Sequence, residues 1–131
     1  DVPEVIRDGS TRFMAAGGRE AYSSKHLFSI STMSLGLASF KKGCPILLHS
    51  HDANCIYYIV SGSIQIGAEI LKAGDGFFVG RDVPYTYTAG DEGADILEFR
   101  DTDAFKTSFT SKNPAYWDKV VKTMEKCRQS W

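Results

Sequence analysis

Two of the three histidines in this chain, His49 and His51, stand one residue apart inside a segment running from Gly43 to Gly62. On a β-strand that spacing aims both imidazoles at one face, roughly 6–7 Å apart at the backbone. Their nitrogens can then converge on one ion at about 2.1 Å. Cys55 follows four residues later, Tyr57 and Ile59 continue its alternation toward the same interior, and Tyr85 and Tyr87 share a face of a later strand. The chemistry this constellation predicts is a metal site inside a β-barrel. An ion with an open position polarises a carbonyl oxygen or binds oxygen, while Tyr57 or Tyr85 orients a substrate or moves a proton.

Short β-forming runs separated by turn residues must position these groups. Met33, Leu35 and Leu37 alternate with Ser34, Gly36 and Ala38, a strand packed on both faces. Ile56–Val60 is rich in β-formers and is expected to stop at Ser61-Gly62-Ser63, with a hairpin turn there. Further turns are expected at Lys72–Gly76, at Asp82-Val83-Pro84 and at Gly90–Gly93, before the strand Ile96–Phe99. Turn signals at this frequency, with no helical periodicity between them, exclude a βαβ architecture and predict an all-β sandwich or barrel. The tail differs: Asn113-Pro114 can cap and start a helix, and Trp117, Val120, Val121, Met124 and Cys127 follow at helical spacing. This helix is expected against the barrel or a partner subunit. The first 25 residues are read as an edge strand or an arm reaching a neighbour.

At 131 residues with 43% hydrophobic and 24% charged side chains, the chain fits one globular domain. A net charge of -1 without a dense Lys/Arg cluster argues against nucleic acid or an anionic membrane as partner and favours a small molecule. Cys44, Cys55 and Cys127 form no CxxC pair or disulfide pattern, as expected of a reduced, cytoplasmic setting. Asp1-Val2-Pro3-Glu4 has neither the basic nor the apolar character of a secretory leader. The absence of an initiator Met leaves a removed leader open.

Gly43, His49, His51, Cys55 and Gly62, followed by Gly74, Asp75, Gly80, Asp82 and Tyr85, resemble the two sequence motifs of the cupin superfamily over roughly residues 30–100. The resemblance implies a jelly-roll-like double-stranded β-helix, a single domain over residues 1–131 with the barrel at about 27–100 and the helix at about 114–129. It also implies a metal held by two His and a Glu of the first motif and a His of the second. His49 and His51 match; Cys55 stands in place of the Glu and Tyr85 in place of the last His. The implied ligands are therefore His49, His51 and Cys55, with the divalent ion open among Zn, Fe, Mn, Ni and Cu. Thiolate and imidazole together favour zinc or copper.

Other readings of the same residues stay open. Cys55 is also a small buried hydrophobe, and His26 is a solvent-facing or packing residue. Glu98 and Arg100 are read as a solvated strand face, with an inward Glu98 as a spare carboxylate, and Cys44 is expected to point away from the pocket. Function divides among a metal-dependent oxygenase or isomerase/lyase on a small carbonyl, enol or aromatic compound, a metal-free binding module, and a structural barrel. In the binding module Tyr57, Phe77, Val79, Tyr85 and Tyr87 would line the pocket. The enzyme is favoured, because two inward histidines are costly to keep neutral and unpartnered in an apolar barrel. A homodimer is expected through a barrel face plus the N-terminal arm or the C-terminal helix, because Trp117, Val120, Val121 and Met124 leave a wide apolar stripe; Tyr57 and Tyr85 are the expected catalytic residues.

Overall fold

The alternating segments become eight strands in the computed structural model, which describes residues 2–131. They are β1 (Tyr22–Ile30), β2 (Met33–Phe40), β3 (His49–His51), β4 (Cys55–Ile66), β5 (Glu69–Lys72), β6 (Gly76–Val79), β7 (Thr88–Arg100) and β8 (Thr107–Phe109). Helices flank them: α1 (Glu4–Phe13), which runs through a kink at Gly17 into the single turn α2 (Arg19–Ala21), and α3 (Pro114–Arg128). Asp1 lies outside the described residues. Among the described residues no helix is long and apolar enough to cross a membrane.

All pairings are antiparallel, in the order β1-β2-β7-β4-β5 with β6 beside β4, and a second sheet of β3 and β8. Bridges between Pro45 and Thr88 and between His49 and Tyr85 extend the second wall. The register decides what faces inward. Ser34, Arg100 and Cys55 are neighbours across β2, β7 and β4, followed by Gly36, Glu98 and Tyr57, then Ala38, Ile96 and Ile59. Ile59, Ile64 and Ile96 are fully buried, each contributing about 1.5–3 kcal/mol of hydrophobic stabilisation. The small side chains of β2 therefore face the interior, and Leu35 faces outward beside Phe99 and Ile56.

Two expected turns are bulges instead. β4 continues through Ser61-Gly62-Ser63 with register shifts on either side of Ser61 and Gly62, and β7 continues through Gly90–Gly93. Gly62 has φ 75°, and a Cβ there would lie 2.0 Å from the Gly93 carbonyl oxygen. Glycine is required because β7 passes directly over it. The chain reverses later, at Gly67-Ala68 between β4 and β5.

The ends also differ from expectation. The first residues are neither a strand nor an arm: α1 packs on α3, with Ile6 and Phe13 buried and Gly9 directly against the Trp117 ring. Only from Tyr22 does an edge strand begin, so barrel strands extend from 22 to 109 rather than from 27 to 100. α3 starts at Pro114, and Asn113 caps it by accepting a hydrogen bond from the Ala115 N–H at 3.0 Å. Trp117, Val120 and Met124 are buried within the chain, so the stripe expected to meet a partner is already covered.

Candidate functional site

The sheet of β3 and β8 supplies one wall of a cavity of about 610 Å³, and β2 and β7 supply the facing wall. His49, His51, Tyr85, Tyr87, Glu98 and Arg100 all line it. The one-residue spacing places both imidazoles inward, with ring centres 4.8 Å apart and planes at 80°. The backbone bridge between His49 and Tyr85 brings those two rings to 4.4 Å.

Hydrogen bonds fix the imidazole tautomers. Carbonyl oxygen only accepts, so His49 Nδ1–H donates to Leu47 O at 2.6 Å and its Nε2 keeps the lone pair. Guanidinium only donates, so His51 Nε2 accepts from Arg100 Nη2 at 3.4 Å and its Nδ1–H donates to Thr107 Oγ1 at 3.1 Å. Burial lowers the pKa of both, that of His51 to about 4, with the Arg100 charge acting in the same direction. Both rings are therefore neutral acceptors at neutral pH.

Behind them lies a chain of donors. Arg100 Nη2 donates to the Tyr57 hydroxyl at 3.3 Å, and that hydroxyl is hydrogen-bonded to the Tyr85 hydroxyl. Burial raises both phenols well above the usual tyrosine range, so both stay protonated. With Tyr57 accepting from Arg100 and donating to Tyr85, the Tyr85 proton is free to point into the cavity. Tyr57 itself is sealed at 0% exposure and stacked on Phe77 at 4.7 Å. Tyr57, Phe77 and Val79 do not line the cavity, contrary to expectation.

Sequence reasoning placed three other residues incorrectly. Glu98 and Arg100 are not a solvated face: they are 9% and 8% exposed and face inward, where Arg100 Nη1 lies 3.4 Å from Glu98 Oε1. Burial raises the Glu98 carboxyl against the pull of Arg100. Cys44 lines the cavity because residues 41–48 form no continuous strand, so strand parity does not govern its direction. His26 is exposed at the cavity mouth, on the β1 face paired with Gly36. Thr107 and Phe105, which contact His51, carried no sequence signal.

The donors fit an ion only in part. With imidazole nitrogens about 2.1 Å from a shared ion, ring centres 4.8 Å apart suit two adjacent ligands. The outer hydrogen bonds of His49 and His51 are also those that orient ligating imidazoles. The remaining positions do not follow. Cys55 is a buried thiol donating to Ala53 O at 3.6 Å, its pKa raised by burial, and Tyr85 is a protonated phenol. The Arg100 cation occupies the His51 lone pair. Among the described residues no group of three or more His, Cys, Asp or Glu could hold an ion. The residues present do not fit a three- or four-ligand cupin ion.

No protein-family model and no curated protein matches the chain. Solved structures do. An RmlC-like cupin from Shewanella frigidimarina aligns with TM-score 0.57 and 21% identity over 63% of this chain and 77% of that one. The DMSP lyase DddQ from Ruegeria pomeroyi gives 0.65 and 19% over 72% of this chain and 54% of its own length, so the match spans about half of that lyase. The polyketide cyclase RemF from Streptomyces resistomycificus gives 0.61 and 14% over 80% and 84%. The chain has the cupin fold, an antiparallel β-barrel with a C-terminal helix.

Proposed function

We propose that the barrel binds a small carbonyl or enol compound and moves a proton on it, an isomerase- or lyase-type acid–base reaction. His49, whose Nε2 keeps its lone pair, is the base and Tyr85 the hydroxyl donor, with Tyr57 supporting Tyr85 from behind. The supporting observation is that neutral imidazoles, the protonated Tyr85 phenol and a buried Arg100–Glu98 pair, with pKa values displaced in opposed directions, meet around one cavity. Such convergence is characteristic of reactive sites. The substrate carbonyl oxygen accepts a hydrogen bond from Tyr85, and His49 Nε2 takes a proton from the adjacent carbon, leaving an enolate whose oxygen is held by the Tyr85 hydroxyl. The imidazolium then returns that proton to another carbon, or a leaving group departs. Cys55, 1% exposed, is a packing residue of the core.

The test is solvent-deuterium incorporation into a panel of small ketones and 2-oxo acids, followed by NMR. Label should enter the carbon next to the carbonyl of at least one compound, and His49→Ala should reduce the rate by about a hundredfold or more. Binding without exchange in the wild type would leave a binding module.

The spacing of the imidazoles favours a second reading, a divalent ion held weakly by His49 and His51 with Cys55 a partial or absent ligand. Elemental analysis of untagged protein should then find metal in the wild type and in Cys55→Ser, and none in either histidine variant. The homodimer expected from sequence needs a face other than α3. Phe28, Leu35, Phe99, Ile56 and Phe78 are adjacent in register on the outer sheet face, and all but half-buried Leu35 are exposed. A second copy covering this row should give a dimer mass in light scattering that Phe99→Glu converts to monomer. The free thiols of Cys44, Cys55 and Cys127 support a reducing, cytoplasmic setting.

A further inference from the structure

We propose that the cavity recognises a carboxylate through Arg100, so that its substrate is a small organic acid with an apolar, ring-sized body; this rests on the acid–base reading for where the ligand lies. Arg100 is more than nine-tenths buried, yet its donors are poorly satisfied. Its three polar contacts, to Glu98, His51 and the Tyr57 hydroxyl, measure 3.4, 3.4 and 3.3 Å. Charge-assisted hydrogen bonds from guanidinium normally close to about 2.7–2.9 Å. Nε has no partner at all. A guanidinium with five donors presents a planar fork that two carboxylate oxygens match, and Arg100 lines the cavity from which such an acceptor would come.

The surroundings favour an anion as that acceptor. The position across the strand from Arg100 is Cys55, where the cupin motif would place a glutamate, so a neutral thiol stands beside the cation. Arg19, Lys25 and Arg100 line the cavity together with one carboxylate, that of Glu98. The body of the ligand has aromatic neighbours. Phe105 lies over the guanidinium carbon at 4.1 Å, and Tyr22 and Phe109 also line the space. At about 610 Å³ the cavity is within the usual size range for small-molecule sites.

Calorimetric titration with benzoate and its neutral isostere benzamide tests the assignment. Benzoate should bind wild-type protein at least about tenfold more tightly than benzamide, as expected for a charged hydrogen-bonded pair in a buried site. Arg100→Gln should reduce that preference to within about twofold, and Glu98→Gln, which removes the competing carboxylate, should strengthen benzoate binding by about threefold or more. Should Arg100→Gln fail to fold with Glu98 left unpaired, the double variant Glu98→Gln/Arg100→Gln carries the same expectation, its fold checked by melting. Equal binding of the two compounds, no binding of benzoate, or a preference that survives loss of Arg100 would each overturn the assignment. His49→Ala separates the two proposals: it should abolish deuterium exchange while retaining the preference for benzoate. A wild type that prefers benzoate but exchanges no proton would retain this site and remove the acid–base reading alone.

Discussion

Acidification should weaken this fold through His51. In the unfolded chain that imidazole takes a proton near 6.5, whereas in the folded barrel burial, the Arg100 cation and His49 hold it neutral down to about 4. The unfolded state therefore binds more protons across that window, and stability falls as pH drops through it. At roughly 1.4 kcal/mol per pH unit the full loss is on the order of 3 kcal/mol, complete below about pH 4. Glu98 acts in the opposite sense: its raised carboxyl is protonated more readily when folded, so acid favours the fold through that group. Comparing wild type with His51→Asn cancels the Glu98 contribution to first order. Urea unfolding at pH 7.5 and pH 4 should show the variant losing about 3 kcal/mol less than the wild type on acidification. Parallel losses in the two proteins, or an NMR titration of His51 centred near 6.5, would refute the reasoning.

Four further outcomes follow from packing and hydrogen bonding. Gly62→Ala should cost at least about 2 kcal/mol in urea, since its Cβ would lie 2.0 Å from Gly93 O at a positive φ. Gly67→Ala, at φ 58° with nothing within 4 Å of its Cβ, should cost only about 1 kcal/mol. Trp117→Ala should lower stability by about 3–5 kcal/mol, because it empties the fully buried contact between α1 and α3. Tyr57→Phe should cost about 1–3 kcal/mol and slow any Tyr85-dependent exchange, since Arg100 and Tyr85 both lose a hydrogen-bond partner.

What was legible in the sequence was whatever a local pattern determines. The spacing of His49 and His51 sets their common direction whatever strand carries them, and Asn113-Pro114 starts a helix by its own chemistry. Gly62 and Gly93 were legible as positions demanding positive φ, but a turn and a bulge make the same demand. Only the strand passing over Gly62 separates them, and that strand is about thirty residues away in sequence. α1 announced itself poorly because Gly9 lowers helix propensity in its middle and Gly17-Gly18 follow it closely. Gly9 is needed to admit the Trp117 ring, a contact with a residue at the other end of the chain.

The inversion at Glu98 and Arg100 has a different origin and bears on function. Their alternation with Leu97 and Phe99 was correct, but a half-buried strand normally turns its apolar residues inward, and here Phe99 is 40% exposed while Arg100 is 8% exposed. Hydrophobicity therefore favoured the wrong face at this end of β7, although Ala94 and Ile96, which share the parity of Glu98 and Arg100, are buried with them. The register chose: Ser34 and Cys55 flank Arg100, and Gly36 flanks Glu98, leaving room inside for the long charged side chains. A buried ion pair with contacts as long as 3.4 Å is a poor source of stability. Replacing the pair with packed apolar groups would be neutral or favourable on that ground alone. Its position beside His51 and Tyr57 instead ties the two charges to the chemistry of the cavity, as the anion-binding assignment of Arg100 requires.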